Sequence, residues 1–496
     1  MLWMSMNTYA DWKAPKTDQE NLIWPAVDSI VVQTRDNADR LGKSDHVLIQ
    51  NESISKLRLR TRHDVDLADS PVIATGHQIE MYHPGVWVKN VLVDAVAKAV
   101  GGEGVHVAVE TDTPKHLTLR WPGESFVMSD DPSIVTSEWS GGVRSPSDAY
   151  RKSMTTRFRE DAARWSFTPA GGPFLDSIES SDATRLSDLI TEGARALDQS
   201  LGLNVPFLPV ARLLETDGYL AFVHHLICDI ERFADHYNRA LADYRREAGI
   251  SSPSRPMPDL RIAGEHIELP FWLDDLSAGT RVRAGAIKRG GQWRLDLPHE
   301  AVFAFDPKHD AHVAAAKLRA FLNDHRLRLA PRALTLTMFM RLLLVDQFVH
   351  GIGGARYDQV TDRIVQSYFK IDPPAFSVTT ATLYFPDAGE RQSDCIPCLV
   401  SQGHHLRHNL DPAKPSYLQK INSAPRNSMA RKLHYLAMHR HLEQTVLTTD
   451  LISKWKDRLN AATEREEAEK VLFDRELFYG LQSRSRLTGM IERYRI

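Results

Sequence analysis

The sequence predicts an α/β protein with a parallel-sheet core, α/β insertions and a helical carboxyl-terminal region. Three observations carry that prediction. Residues 71–116, PVIATGHQIEMYHPGVWVKNVLVDAVAKAVGGEGVHVAVETDTPKH, read as strand, polar turn, helix, strand and polar turn. Residues 335–385 return to the same alternation around HGIGGARYD. From about 412 onward the chain is charged and rich in helix formers, as in TEREEAEKVLFDRELF.

Each element has its own reason. Residues 1–64 read as short helices and loops leading into the first core strand at 72–74. Pro84 opens a helix, because proline suits the first helical turn. Trp87, Val91, Ala95 and Val96 give it an apolar stripe, and Gly101-Gly102 ends it. The near-continuous apolar run 105–109 fits a buried parallel strand. Residues 183–201 read as a helix, and 217–247 as one long helix with a 3.6-residue period. SSPSRPMPD, 251–259, reads as a linker. Residues 260–305 read as an antiparallel β patch turning at Gly290-Gly291. FSVTTATLYF, 376–385, is strand-like. The simplest topology is one Rossmann-like core built from 65–215 and 331–390. Residues 216–330 form an inserted connecting region, and 391–496 a helical, coiled-coil region.

Composition narrows the class. A chain of 496 residues favours two or three domains. Hydrophobic residues at 42% and charged residues at 25% describe an ordinary globular protein, and a net charge of −3 argues against a general nucleic-acid footprint. No apolar run approaches the ~18 residues of a membrane span. Residues 342–349 come nearest and are broken by Asp346 and Gln347. Three cysteines are too few for a disulfide framework, and the first residues lack a signal-peptide pattern. The expectation is a cytoplasmic protein that binds neither membrane nor nucleic acid.

The polar residues of 71–116 crowd the carboxyl ends of both strands, the edge at which open α/β sheets bind ligands. TGHQIEMYHPG offers Thr75, Gly76, His77, Gln78, His83 and Gly85 where a strand feeds a helix amino-terminus, a favourable place for phosphate or carboxylate. His83-Pro84-Gly85 has the order H-x-G of the HxGH signature of nucleotidyl-transfer enzymes, with Val86 at the second histidine position. The blander alternative is that His77 and His83 cap the helix and fill a turn. ETDTPKH supplies Glu110 and Asp112 for a ribose hydroxyl, Mg²⁺ or base chemistry, and Lys115 and His116 for phosphate. The alternative there is an N-cap and solvated turn. His350, Gly351, Gly353 and Gly354 precede a helix and can cradle an anion, or simply make a tight turn with Tyr357 and Asp358 in its first residues. Cys395, Cys398, His404 and His408 have the ligand types of a zinc site but an unusual spacing. His434, His439 and His441 read as part of a solvated basic face.

Taken in order, TGHQIEMYHPGVWVKN, VAVETDTPKH, LPFWLDDLSAGTRVRAG and HGIGGARYDQVTDRIVQSYFKIDPPAFSVTTATLYF resemble segments of the cysteine-adding enzyme family of bacillithiol biosynthesis. The resemblance covers most of 65–390 as a pattern. It implies a core related to class I aminoacyl-tRNA synthetases and nucleotidylyltransferases, with connecting-peptide insertions and a carboxyl-terminal coiled coil that dimerises. It implies a ligase joining a carboxylate to an amine. The matching positions are Gly76, Gln78, Gly85, Lys89, Asp112, Gly353 and Gly354. The chain departs from the pattern in carrying His77 and His83 in the first motif and no KMSKS-like loop.

The leading expectation is a ligase or nucleotidyl-transfer enzyme that uses ATP (or retains ADP) with Mg²⁺. His77 and His83 would stabilise phosphate charge, Asp112 would bind ribose or metal, and Lys115 would pair with phosphate. Two rivals stand beside it. One is a non-catalytic nucleotide- or metabolite-binding protein. The other is a metal-dependent hydrolase or transferase using His77, His83, Asp112 and His116. The charged terminal helices suggest a homodimer.

Overall fold

Six strands form the central sheet of the computed structural model, which describes residues 12–297, 301–389, 395–409, 411–448 and 450–496. They are β1 (Glu20–Trp24), β2 (Val72–Gln78), β3 (Glu103–Val109), β4 (Phe207–Pro209), β5 (Gln347–His350) and β6 (Phe376–Thr382). The order across the sheet is β1-β6-β5-β2-β3-β4. β2 to β6 run parallel, and β1 closes one edge antiparallel to β6. The lead-in region read as helices and loops therefore contributes an edge strand as well as the helices Val27–Gly42 and Ile54–His63. Residues 1–11, part of the stretch read for a leader, lie outside the described residues.

β2 passes through helix α1 (Pro84–Val100) to β3, and β5 passes through helix α2 (Ile352–Ile364) to β6. The two crossovers lead to opposite sides, so strand order reverses between β2 and β5. The parallel strands are deeply apolar, as a sheet covered on both faces requires. Val72, Ala74 and Val107 are fully buried against the helices Asp217–Cys228 and Ala333–Leu343.

The predicted helix 217–247 is two helices, Asp217–Cys228 and Ile230–Glu247. The break is at Asp229, whose φ of −120° and ψ of 31° leave the helical region. Its carboxylate accepts from Arg232 at 2.6 Å and from the Tyr368 hydroxyl at 3.3 Å. An apolar period that continues across the break hides it from the sequence. The inserted β patch is a separate antiparallel sheet that includes His266–Asp275, Thr280–Arg289, Gln292–Asp296 and Leu327–Pro331. Gly290 and Gly291, at φ of 58° and 79°, make its hairpin turn, where a side chain would be strained at both positions.

The chain divides into two compact units. The first is 1–386 together with 475–496, and the second is 387–474. The last residues thus belong with the core rather than with the terminal helical region in which the sequence reading placed them. Tyr479 stacks on Trp87 at 5.2 Å and donates to Asp198 at 2.9 Å, and Tyr494 meets the Thr379 hydroxyl at 2.7 Å. The second unit contains the helices Ile396–His408, Lys414–Ser423, Met429–Thr448 and Leu451–Leu472. Within it Ile421, Met438 and Leu442 form a small core, and Trp455 donates to the Leu399 carbonyl at 2.6 Å. No helix among the described residues is long and apolar enough to cross a membrane.

Candidate functional site

The reversal between β2 and β5 leaves a crevice at the carboxyl ends of both strands, and a cavity of about 250 Å³ occupies it. Gly76 and Gln78 of β2, Asp112 beyond β3, and His350, Gly354 and Asp358 from β5 and α2 line it. Trp272 and Arg281 of the inserted sheet and Met340 of the helix Ala333–Leu343 complete the wall. Five residues picked out from three separate sequence motifs, Gly76, Gln78, Asp112, His350 and Gly354, therefore share one cavity.

Strand alternation decides who enters. Successive side chains of a strand point to opposite faces. Gly76 and Gln78 face the cavity, and His77 between them turns away to Glu80, 3.4 Å from its carboxylate. The Gln78 amide donates to Asp112, which also accepts from the Thr113 backbone N–H at 2.9 Å. Thr75 is internal to the sheet, where its hydroxyl donates to the Val349 carbonyl at 2.9 Å.

Across the cavity, His350 and Asp358 form a buried pair. His350 Nε2 lies 2.9 Å from the Asp358 carboxylate, which also binds Arg341. Arg341 in turn donates to Asp362 at 2.7 Å. The Arg341 guanidinium, with the hydrogen bond from His350, holds Asp358 ionised and its pKa below the usual carboxylate range despite burial. An ionised Asp358 fixes the imidazole tautomer: Nε2 carries the proton and donates, leaving the lone pair on Nδ1. Burial lowers the His350 pKa and keeps the ring neutral. Gly354 makes room for it, since a Cβ there would sit 2.7 Å from His350 Nδ1.

Gly351 is the N-cap of α2, with no side-chain cap, and Gly353 and Gly354 lie in its first turn rather than before it. The α2 amino-terminus thus brings backbone N–H groups to the cavity rim through Gly354. Arg281 is held by Asp274 through two bonds of 2.6 and 3.0 Å, a carboxylate it shares with Arg328.

The remaining candidates have other positions. His83 is the N-cap of α1: its Nδ1 accepts from the Gly85 N–H at 3.1 Å. Burial, with nearby Arg475 and Lys89, pushes its pKa down to about 3, so it brings no positive charge to a phosphate. Gly85 is needed for close packing, because a Cβ there would sit 2.7 Å from both the Arg475 guanidinium and the Thr380 hydroxyl. Lys89 is buried and donates to the Gly76 carbonyl at 2.9 Å, and burial pulls its pKa down to about 7 despite the attraction of Glu80. Glu110 caps the helix Val210–Leu214, accepting from the Val210 and Ala211 N–H groups at 2.9 and 2.7 Å. Lys115 and His116 are exposed in the turn after β3, where His116 has φ of 50°.

Cys395 and Cys398 are joined as a disulfide, so in this form neither thiolate is free for zinc. No cluster of three or more His, Cys, Asp or Glu side chains suited to a metal occurs among the described residues. His77, His83, Asp112 and His116 accordingly do not converge as the metal-dependent reading requires.

The sequence offered Asp358 only as an ordinary first-turn residue and gave no sign of Arg341, Trp272 and Arg281 as site residues. Asp358 lies eight residues beyond His350, and that spacing is the one local signal: strand end to second helical turn. The others come from separate elements and carry no local mark. No protein-family model matches the chain, and no curated protein matches it.

Proposed function

We propose that the chain is a ligase-type enzyme with a Rossmann-like core, using His350 as the general base at the strand-order reversal. The observation that carries this reading is the His350–Asp358 pair in the cavity wall. A neutral imidazole with its proton committed to a carboxylate presents a lone pair able to take a proton from an amine or hydroxyl nucleophile. Asp358 orients the ring and stabilises the imidazolium that forms. The first turn of α2 suits a carboxylate or phosphate oxygen, and Gln78 with Asp112 suits the hydroxyl or amine groups of a substrate.

The cavity, at about 250 Å³, is below the ~300–1,000 Å³ of typical small-molecule sites. It suits one small polar substrate rather than a whole nucleotide. ATP would supply the leaving group for carboxylate activation with its phosphate end alone at this cavity and its adenosine outside it. The wall does not form a magnesium site of its own: Asp358 is committed to Arg341 and His350, leaving Asp112 as the carboxylate able to touch a nucleotide-borne ion. Dimerisation through the terminal helices belongs to the same proposal, supported by the exposed Met429, Leu433 and Leu436 on one helix, and light scattering on the purified protein tests it.

The functional test is ATP consumption by the full chain against pooled amino acids and amino sugars, with coupled product detected by mass. A condensation product that needs ATP supports the proposal. Absence of ATP consumption with every pool overturns it.

A further inference from the structure

A second and larger cavity, about 650 Å³, lies on the other side of the loop after β3 and shares no lining residue with the first. Arg144 and Arg185 line it, and they are direct partners across an isolated antiparallel bridge. The flanking backbone bonds, Ser145 N–H to Thr184 at 3.0 Å and Leu186 N–H to Val143 at 2.9 Å, make them a non-hydrogen-bonded pair. That is the closest cross-strand spacing, with both side chains on one face. Two like charges placed so are unfavourable unless an anion lies between them.

Among the described residues neither guanidinium makes an ion pair or a side-chain hydrogen bond. The acid that feels Arg144, Asp131, accepts instead from the Ser133 N–H at 2.9 Å. A third arginine, Arg326, lines the same cavity and is likewise without a carboxylate partner among the described residues. It has φ of 50°, a left-handed position that favours glycine or asparagine, yet it holds a long cationic side chain. The two other arginines of the wall have ion-pair partners: Arg319 meets Asp217 at 2.5 Å, and Arg328 meets Asp274, which it shares with Arg281, at 2.8 Å. Of the two lining acids, Glu110 is committed to backbone N–H groups, and Glu215 is exposed. The cavity wall thus carries three guanidiniums that form no ion pair among the described residues, beside the two carboxylates Glu110 and Glu215, in a chain whose net charge is −3.

We infer that this cavity binds a small polyanion, carrying phosphate or clustered carboxylates, between Arg144 and Arg185, with Arg326 of the same lining as a third cation. Planar guanidiniums recognise such oxyanions through paired N–H bonds. The inference stands apart from the chemistry assigned to His350, because the two cavities use different residues.

Titration calorimetry of the full chain with pyrophosphate, inorganic phosphate and citrate tests it, using wild type, the double variant Arg144→Gln/Arg185→Gln, and Arg326→Gln. Wild type is expected to bind pyrophosphate or citrate, and which one binds identifies the source of the oxyanions. The double variant is expected to bind at least tenfold more weakly while melting no lower than wild type, because exposed like charges have been removed. Equal affinity in wild type and the double variant overturns the inference, as does failure of all three anions to bind at low ionic strength. His350→Gln run in parallel is expected to bind the anion as wild type does, and loss of binding there would move the anion to the other cavity and contradict the assignment.

Discussion

His350 donates its Nε2 proton to Asp358 across 2.9 Å, and the same carboxylate neutralises the buried Arg341. One aspartate thus orients a ring in the cavity wall and holds a cation in the core. Replacing it has two separable effects.

Asp358→Asn keeps the shape and removes the charge. Breaking one partner of a buried ion pair typically costs about 3–5 kcal/mol, and Asp362 remains to hold Arg341, so the loss falls toward the lower end. Chemical denaturation measures it. A loss below about 1 kcal/mol, the range of a surface pair, would show that Arg341 does not depend on Asp358.

Gly353 and Gly354 make a matched pair. A Cβ at 354 would sit 2.7 Å from His350 Nδ1, whereas at 353 it would meet nothing within 4 Å. Gly354→Ala should destabilise by about 1–3 kcal/mol through overpacking and displace the imidazole. Gly353→Ala should stabilise by about 0.4–1 kcal/mol by restricting the unfolded chain. Similar melting temperatures for the two variants would contradict the tight packing of the ring on α2.

Glu80 gives a pH signature. Burial raises its pKa from 4.5 to about 7, with Lys89 opposing the shift. The folded state then holds a proton that the unfolded state has released. Its contribution is fully present below pH 4.5 and is lost as pH rises to about 7. Glu80→Gln should remove that part of the decline, so the stability difference between wild type and variant should change across this window. Parallel stability curves between pH 4.5 and 7 would contradict the burial assigned to Glu80.

Tyr479 tests the return of the chain end to the core. It stacks on Trp87 at 5.2 Å and, with Trp87 and Asn90, donates to the buried Asp198. Tyr479→Ala should cost about 3–5 kcal/mol, as removal of a large buried aromatic does. A change under about 1 kcal/mol would mean that the tail is not packed there.

The β2–α1–β3 unit was legible because its signals are local. Apolar runs mark the strands, Pro84 starts the helix, and Gly101 ends it in a left-handed cap. The edge at which Gln78 and Asp112 meet followed from the same logic. What stayed hidden depends on contacts distant in sequence. His77 and Gln78 look equivalent in the sequence, and only the face each occupies separates the helix-side residue from the cavity residue. Asp229 breaks a helix whose apolar period continues through it. Arg475 and Tyr479 return to α1 from almost the far end of the chain, and nothing in the charged helices before them announces that return.

The most direct test of the central claim compares His350→Gln with His83→Asn in ATP-dependent product formation. Both variants keep a polar group, and asparagine is itself a good helix cap. The account predicts that His350→Gln loses about 10²–10⁴-fold in rate with its melting transition intact, as loss of a general base does. His83→Asn should stay within about threefold of wild type, because a cap substitution leaves the base in place. A His350→Gln protein that turns over as fast as wild type, or a rate that falls with His83 instead, would contradict the placement of the reaction at the reversal between β2 and β5.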